Sequence, residues 1–246
     1  MNVSAVNSPA SPARHRAPLD WKILCDFDGT ISTTDVTDAL LSAFGRPGWA
    51  ALEAGWLRGE IGSRECMAGQ IELLDMSRAE LDAALLEIEI DPAFVRFVEI
   101  ARALGMPLSI VSDGLDHVIR SVLAHHAIDG VAVVANRLLQ VGERAWRLEF
   151  PNAHADCRRA SGNCKCALAQ QRRQDARVLY IGDGASDFCV AHRVDFVLAK
   201  DSLIEYCASN GIEHKPIRDF EEALSTLIQL GSRSRSQMTR VDGGLA

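Results

Sequence analysis

Two aspartates stand two residues apart where an apolar run of the sequence ends in a turn. The run is "WKILC", and the "DFDGT" that follows places Asp26 and Asp28 just before Gly29. A short apolar run bounded by a turn is typical of a buried strand. Two carboxylates so close repel each other and raise each other's pKa values. The pair therefore indicates a nearby positive charge, and a divalent cation would supply it.

Three further polar motifs stand at the ends of predicted elements. Ser112 in "VSDG" follows a second apolar run, and Asp183 and Asp187 in "GDGASD" follow a third. Lys165 in "NCKCA" opens a predicted helix. If the strands are parallel, their carboxyl ends share one edge of the sheet, which is where ligands bind in open α/β folds. We therefore expect all four motifs to meet at one pocket.

The residue types at this predicted pocket suit a metal ion and a phosphate group. Asp26, Asp183 and Asp187 offer the hard oxygen ligands that Mg²⁺ prefers. Lys165 offers a compact positive charge. Carboxylates, a divalent cation and a lysine together favour phosphoryl transfer, in which positioning and charge neutralisation do most of the work.

Hydroxyl groups and turn N–H groups around the same motifs can hold phosphate oxygens. The predicted phosphate-binding residues are Gly29, Thr30, Ser112, Asp113 and Gly114. N–H groups in tight turns bind anions well. An aspartate can attack phosphorus to form an aspartyl-phosphate, and a second acid two residues away can protonate the leaving oxygen and then activate water.

Elsewhere, predicted strands alternate with predicted helices. This pattern predicts a doubly wound, mainly parallel α/β sheet with a Rossmann-like core. The predicted core covers residues 21–33 and 91–230. Residues 34–90 show only helical patterns, which predicts a small inserted helical cap. The polar, Ser- and Arg-containing ends, residues 1–20 and 231–246, are predicted to be disordered.

The first cap helix is expected to start at Thr33 or Thr34, which are good N-cap residues. Trp49 and Trp56 are seven residues apart, so both are expected to pack inside the cap, or one of them to line the pocket. The segment from about Gly142 to Asn163 shows no clear periodicity.

Composition excludes several classes of protein. The 246 residues carry a net charge of −7, which argues against a general nucleic-acid binder. The sequence contains no apolar run of about 20 residues, so no membrane span is expected. The first residues lack the apolar core of a secretory signal. The odd number of cysteines, seven, favours free thiols in the cytoplasm.

In order and spacing, "DFDGT", "SDG", Lys165 and "GDGASD" resemble motifs one to four of the haloacid-dehalogenase-type phosphatases, across residues 23–199. The resemblance implies that Asp26 is the nucleophile. It implies that Asp28 is the general acid and base, and that its backbone carbonyl contributes to the Mg²⁺ site.

The same resemblance assigns roles to the other motifs. Ser112 and Lys165 would hold the transferred phosphoryl group. Asp183 would bind the metal, and Asp187 would hold the lysine or a metal-bound water. Within this family, the helical insert resembles the cap of the phosphoserine-phosphatase branch.

Within that branch, "DFDGTISTTD" and the cysteines that flank Lys165 resemble the enol-phosphatases of methionine salvage and the phosphoethanolamine and phosphocholine phosphatases. Asp35 matches the cap acid that contacts the substrate in phosphoserine phosphatases, where that acid is a glutamate. Lys165 is followed by Cys166 and Ala167, where relatives often have Pro or Gly.

The predicted function is therefore Mg²⁺-dependent hydrolysis of a small phosphorylated metabolite in the cytoplasm, with a cap that closes over the site. A phosphotransferase or phosphomutase would use the same aspartyl-phosphate. A catalytically inactive binding protein is a further alternative. The presence of every motif residue argues against it. The substrate and the oligomeric state stay open at this point.

Three cysteines raise a further alternative. Cys157, Cys164 and Cys166 stand close together in the sequence, as zinc ligands often do. Their spacing does not match paired C-x-x-C elements, so free thiols are the favoured interpretation.

Overall fold

The computed structural model describes residues 20–242, with side chains as far as residue 232. One sheet contains seven strands, in the order fourth, third, second, first, fifth, sixth, seventh. Every neighbouring pair is parallel except the third and fourth strands, which are antiparallel. This arrangement confirms the predicted doubly wound α/β fold. The strands are β1 (Trp21–Cys25), β2 (Leu108–Leu115), β3 (Ala132–Gln140), β4 (Trp146–Glu149), β5 (Arg177–Gly182), β6 (Phe196–Ala199) and β7 (His214–Pro216).

Helices cover both faces of this sheet, and four of them lie between β1 and the helix that precedes β2. In the described residues they are α1 (Val36–Phe44), α2 (Trp49–Leu57), α3 (Ser63–Glu72), α4 (Arg78–Leu85), α5 (Phe94–Ala103), α6 (Asp116–His125), α7 (Lys165–Arg172), α8 (Phe188–Ala191), α9 (Asp201–Ser209) and α10 (Phe220–Asp242). A short 3₁₀ turn, Ala185–Asp187, precedes α8. None of the described helices is both long enough and apolar enough to span a membrane.

The central strands are buried on both sides, as their continuous apolar sequences predict. Successive side chains of a strand point to opposite faces of its sheet. In β1, Ile23 and Cys25 therefore join the apolar cluster on one face, while Leu24 joins the cluster on the other. Strands that bury both faces need apolar residues at every position, which explains why the sequence shows a run and no alternation.

Helices α1 to α4 pack on the core and share its apolar cluster. Leu40 of α1, Ile71 of α3 and Leu81 of α4 are fully buried in the same cluster as Ile23. The division into a core and a separate cap at residues 34–90 stays a prediction, because the apolar cluster continues from one to the other.

The N-terminus of α1 corrects one prediction. Asp35, and neither Thr33 nor Thr34, is the N-cap residue, because its Oδ1 accepts a hydrogen bond of 2.9 Å from the N–H of Asp38. The Thr33 hydroxyl instead donates to the carbonyl of Glu89. A cap residue must stand directly before the first helical residue, and α1 begins at Val36.

Some local features differ from the sequence prediction or fall outside the structure. Strand β4 lies in the segment that shows no clear periodicity, because four residues are too few to reveal alternation. Helix α10 continues to Asp242, so it extends into the segment from 231 that was predicted to be a disordered tail. The rest of that tail, 243–246, and the predicted leader as far as residue 19 lie outside the described residues.

Candidate active site

The register of the parallel strands places the predicted motifs at one edge of the sheet. Cys25, the last residue of β1, is level with Ile110 of β2 and with Ile181 of β5. The chain therefore leaves β1 and β5 at the same height, close to Ser112. A cavity of about 230 Å³ opens at this edge. One wall, which we name the strand-end face, consists of Asp26, Asp28, Ser112 and Asp183.

Ser112 lies within β2, where the strand is irregular. Pairing between β2 and β3 shifts register between Val111 and Leu115. At this irregularity the Ser112 hydroxyl oxygen accepts a hydrogen bond of 2.8 Å from the N–H of Gly114. A Cβ at Gly114 would lie 2.5 Å from Oδ2 of Asp28, so only glycine lets the two motifs approach this closely. The bulge thus brings Ser112 beside the carboxylates.

Lys165, the first residue of α7, lies buried among anions below the strand-end face. Its ammonium donates three hydrogen bonds: to Oδ2 of Asp26 at 2.5 Å, to Oδ1 of Asp187 at 2.6 Å and to the hydroxyl of Ser186 at 2.9 Å. An ammonium group has three donors, so every one is engaged. The lysine is therefore held in one position between the two aspartates.

Asp187 is fully buried, and donors surround both of its oxygens. Oδ1 accepts from the Tyr180 hydroxyl at 2.5 Å as well as from Lys165, and Oδ2 accepts from the N–H of Asp183 at 2.9 Å. Both oxygens already have partners in the protein. This environment favours the predicted role of holding the lysine over direct binding of a metal.

The pKa values of these groups show which charges are matched. Burial and the nearby Asp187 raise the pKa of Asp26 well above its ordinary value, although Lys165 opposes this. The same two causes raise the pKa of Asp183 to about 6. Burial disfavours the charges of Asp187 and Lys165 too, but each stabilises the other, so the pKa of Asp187 falls and that of Lys165 rises. The negative charges of Asp26 and Asp183 are therefore not fully balanced by nearby positive charge.

These carboxylates are arranged as a cation would require. Each of Asp26, Asp183 and Asp187 offers one carboxylate oxygen, and these three oxygens lie within 4.8 Å of one another. Among the described residues, no other group of three His, Cys, Asp or Glu side chains comes this close together. Crowded acids with raised pKa values are relieved by a divalent cation. The donor set, all oxygen, fits Mg²⁺, and Asp26 and Asp183 are better placed than Asp187 because they line the cavity.

The turn after Asp28 supports Asp183 directly. Gly29 has a φ of +71°, and a Cβ there would lie 2.7 Å from Oδ2 of Asp183, so this position requires glycine. Thr30 is fully buried and donates its hydroxyl to Oδ1 of Asp183 at 2.5 Å. The hydroxyl proton of Thr30 is thus engaged with Asp183, whereas the sequence predicted a contact between Thr30 and phosphate. Lys200 holds the turn by donating to the carbonyls of Gly29 and Thr30.

Asp28 connects the strand-end face to the first cap helix. Its Oδ1 accepts a hydrogen bond of 2.9 Å from the N–H of Val36, at the start of α1. Burial, followed by the negative charge of Asp35, raises the pKa of Asp28 to about 7. A carboxyl group with such a pKa can give and take a proton near neutral pH, as a general acid and base must.

The opposite wall of the cavity comes from the helices between β1 and α5. We name it the cap face; it consists of Asp35, Asp38, Glu53, Trp56 and Met67. Asp35 borders the cavity as predicted, and its contact with substrate stays a prediction. Trp56 lines the cavity, whereas Trp49 packs against the apolar core. The sequence did not identify the other three, although Glu53 and Trp56, three apart on α2, share one helix face.

The remaining predicted residue and two unpredicted ones support the site from behind. Asp113 lines the cavity, and its Oδ1 accepts from the N–H of Asn163 at 2.9 Å. Ser186 was not predicted, although it lies inside the "GDGASD" motif. Tyr180 was not predicted either, because in sequence it is one more member of a buried apolar run.

The cysteines do not present the compact ligand group that the alternative zinc site would need, among the residues that the structure describes. All seven are free thiols. Cys157, Cys164 and Cys166 do not bring three ligand atoms together as the aspartates do, within the part of the chain that the structure describes. That these thiols bind no metal stays a prediction.

Comparisons with known proteins agree with the geometry. The family described as haloacid dehalogenase-like hydrolase matches residues 23–192. A protein from Exiguobacterium sp. named 2-hydroxy-3-keto-5-methylthiopentenyl-1-phosphate phosphatase is 32% identical over 202 residues, which cover 80% of this chain and 93% of that protein. A Geobacillus kaustophilus protein of the same name is 31% identical and covers 83% and 94%.

Among solved structures, a phosphoserine phosphatase described as a phospho-aspartyl intermediate analogue is similar, with a TM-score of 0.65 and 17% identity. The match covers 85% of this chain and 99% of that one. At this identity the likeness shows a shared fold.

Proposed function

Because the chain belongs to the haloacid dehalogenase-like hydrolases and is a phosphatase, we propose that it is a Mg²⁺-dependent phosphomonoester hydrolase that works through an aspartyl-phosphate on Asp26. One observation carries the proposal: the carboxylate of Asp26 lines the cavity while Lys165 holds its Oδ2 from behind. Asp28, Ser112 and Asp183, which the proposed reaction also uses, line the same cavity.

The first step transfers the phosphoryl group to Asp26. Its Oδ1 accepts from the N–H of Phe27 at 2.8 Å, and Oδ2 accepts from Lys165, so the carboxylate is oriented before substrate arrives. When bound, Mg²⁺ would neutralise the crowded negative charge of the carboxylates and the substrate phosphate. The Ser112 hydroxyl supplies a donor to the transferred oxygens, and the ammonium of Lys165 supplies positive charge beside Asp26.

Asp28 moves the protons. With a pKa of about 7, its carboxyl group protonates the leaving oxygen in the first step. The resulting Asp28 carboxylate then takes a proton from the water that attacks the aspartyl-phosphate. Its bond from the N–H of Val36 keeps it at the entrance of the cap, where the leaving group must lie.

We further propose that the substrate is a small cytoplasmic metabolite. The relatives' names make 2-hydroxy-3-keto-5-methylthiopentenyl-1-phosphate the first compound to test. Two features of this chain support that choice. Trp56 and Met67 provide apolar surface for a thioether chain, and the cavity of about 230 Å³ suits a small ligand. Free thiols at all seven cysteines agree with a reducing compartment.

The test replaces the nucleophile. Asp26→Asn should lower turnover by about 10⁵-fold or more, because removal of a nucleophile leaves only binding and charge stabilisation. Release of inorganic phosphate from 2-hydroxy-3-keto-5-methylthiopentenyl-1-phosphate and from para-nitrophenyl phosphate measures the loss. Asp129→Asn, at an exposed acid outside the cavity, is the matched control. Near-normal turnover by a folded Asp26→Asn protein would overturn the assignment.

A second experiment addresses the phosphotransferase alternative. Hydrolysis in ¹⁸O-labelled water should place the label in the inorganic phosphate, because water attacks the aspartyl-phosphate. A transferase would instead pass the phosphoryl group to an added alcohol and release little labelled phosphate.

A further inference from the structure

Tyr180 forms the inner end of a buried chain of hydrogen bonds that reaches the nucleophile. It lies on β5 with no exposed surface. Its hydroxyl donates to Oδ1 of Asp187 at 2.5 Å, and the same oxygen accepts from Lys165 at 2.6 Å. Lys165 in turn donates to Oδ2 of Asp26 at 2.5 Å. The hydroxyl of Tyr180 is therefore two side chains away from the reacting carboxylate.

We propose that Tyr180 is a positioning residue for phosphoryl transfer, which acts through Asp187 to set where the Lys165 ammonium lies. The proposal rests on the proposed function, because it assigns Tyr180 a part in the same reaction. It concerns a residue that contacts Asp187 and does not line the cavity.

The physical reason lies in how Asp187 divides its negative charge. Lys165 must serve two anions, Asp187 behind it and the phosphoryl group on Asp26 in front. The Tyr180 hydroxyl supplies one donor to Oδ1 of Asp187 and so satisfies part of that oxygen's demand. Without it, Oδ1 would draw the ammonium inward. The positive charge would then lie further from the oxygens on which negative charge gathers in the transition state.

Packing alone does not account for the hydroxyl. The ring of Tyr180 belongs to the apolar cluster that also contains Leu24 and Val197, and a phenylalanine ring would fill the same space. Burial of a hydroxyl in such a cluster is unfavourable unless it makes a hydrogen bond. The bond goes to Asp187, one of the two carboxylates that hold Lys165.

The chain has only two tyrosines, which provides a matched control. Tyr206 packs on the same cluster, stacks on Phe188 with ring centroids 3.9 Å apart, and its hydroxyl lies 2.9 Å from Nε2 of His192. Tyr206→Phe thus removes a hydrogen-bonded hydroxyl, less buried than that of Tyr180, from the same face of the sheet without any link to Lys165.

The experiment compares the two variants in phosphate release. Tyr180→Phe should lower kcat by about 10-fold, as expected for a lost hydrogen bond to a charged group, with KM within twofold. Affinity for orthovanadate, which resembles the transition state, should fall in parallel, while affinity for inorganic phosphate stays within twofold. Tyr206→Phe should leave all four values unchanged. An unchanged kcat in folded Tyr180→Phe would overturn the proposal.

A double-mutant cycle tests the route. In the Asp187→Asn background, Tyr180→Phe should cause no further loss of kcat, because the residue through which Tyr180 acts has changed. An equal further loss would show that Tyr180 acts independently of Asp187. Wild-type enzyme without phosphatase activity would instead contradict the proposed function, so the two failures differ.

A spectroscopic readout covers the case in which Tyr180→Phe folds poorly. In Tyr206→Phe enzyme made with 3-fluorotyrosine, Tyr180 gives the single ¹⁹F signal. Orthovanadate with Mg²⁺ should shift this signal, because the ammonium next to Asp187 redistributes its bonds toward the bound anion. A signal that does not move on saturation would contradict the proposal.

Discussion

The two walls of the cavity differ in how firmly their side chains are held. On the strand-end face, Asp26 is 4% exposed and Lys165 behind it is 3% exposed, with every ammonium donor engaged. On the cap face, Asp35 and Asp38 are open to solvent, and Glu53 has a hydrogen bond from Gln70 at 3.0 Å. Rigid strand ends suit chemistry that needs fixed geometry, whereas helix surfaces can change side chains without disturbing it.

The walls also differ in charge. The strand-end face combines acids with the ammonium of Lys165 and with a site that fits a cation. Among the described residues that line the cavity, the charged members of the cap face are all acids: Asp35, Asp38 and Glu53. We therefore propose that the strand-end face recognises the phosphate and that the cap face selects the leaving group.

After the nucleophile Asp26, the largest effect is expected from Asp28, which belongs to the strand-end face but touches the cap. Asp28→Asn should lower the turnover of alkyl phosphates by about 10²–10⁴-fold, the usual contribution of a general acid. In single-turnover phosphorylation of Asp26, the loss should be much smaller for para-nitrophenyl phosphate, whose leaving group needs no proton. Single-turnover kinetics with both substrates measure the difference, apart from the later step in which Asp28 acts as a base toward water. Equal losses in this step would mean that Asp28 does not protonate the leaving oxygen.

Substitution of Asp183 tests the proposed metal binding by the strand-end face. Asp183→Asn should raise the Mg²⁺ concentration needed for half-maximal activity by at least about 10–100-fold, since a charged oxygen ligand is replaced by a neutral one. Titration of enzyme freed of metal with a chelator measures this requirement. Asp201→Asn, near the start of α9 and away from the cavity, is the control. An unchanged titration curve would contradict the role of Asp183.

Glu53 tests the charge of the cap face. Glu53→Gln should raise kcat/KM for phosphoglycolate, relative to its neutral primary amide, by about 5-fold, because one negative charge facing the leaving group is removed. Glu87→Gln, at an exposed acid outside the cavity, should leave this ratio unchanged. If the ratio stays at the wild-type value in Glu53→Gln, the cap face does not select by charge.

The smallest effect is a shift in pH dependence that links the two walls. Burial and the charge of Asp35 raise the pKa of Asp28. Asp35→Asn keeps an N-cap residue but removes that charge, so the pKa of Asp28 should fall. Single-turnover phosphorylation of Asp26 needs protonated Asp28, and its rate should therefore decline at a lower pH than in the wild type. A decline at the same or higher pH would mean that Asp35 does not influence Asp28.

Local sequence patterns were enough to predict the strand-end face. Apolar runs that stop at acids mark β1 and β5, and the alternation of strands with helices implies that the strands are parallel. The carboxyl ends of parallel strands lie at the same edge of the sheet, so the sequence by itself predicts that Asp26 and Asp183 come together. Short elements escaped this reasoning, because β7 has only three residues, too few for any periodicity.

Only the tertiary structure decided which residues line the cap face and which support the nucleophile. Asp38, Glu53 and Met67 occupy ordinary helical positions, and their direction depends on how the helices pack. Tyr180 resembles its apolar neighbours until the fold places its hydroxyl 2.5 Å from Asp187. Residues that act where a strand ends leave a local signal in the sequence. Residues that act through contacts between distant segments leave none, because those contacts exist only after the chain has folded.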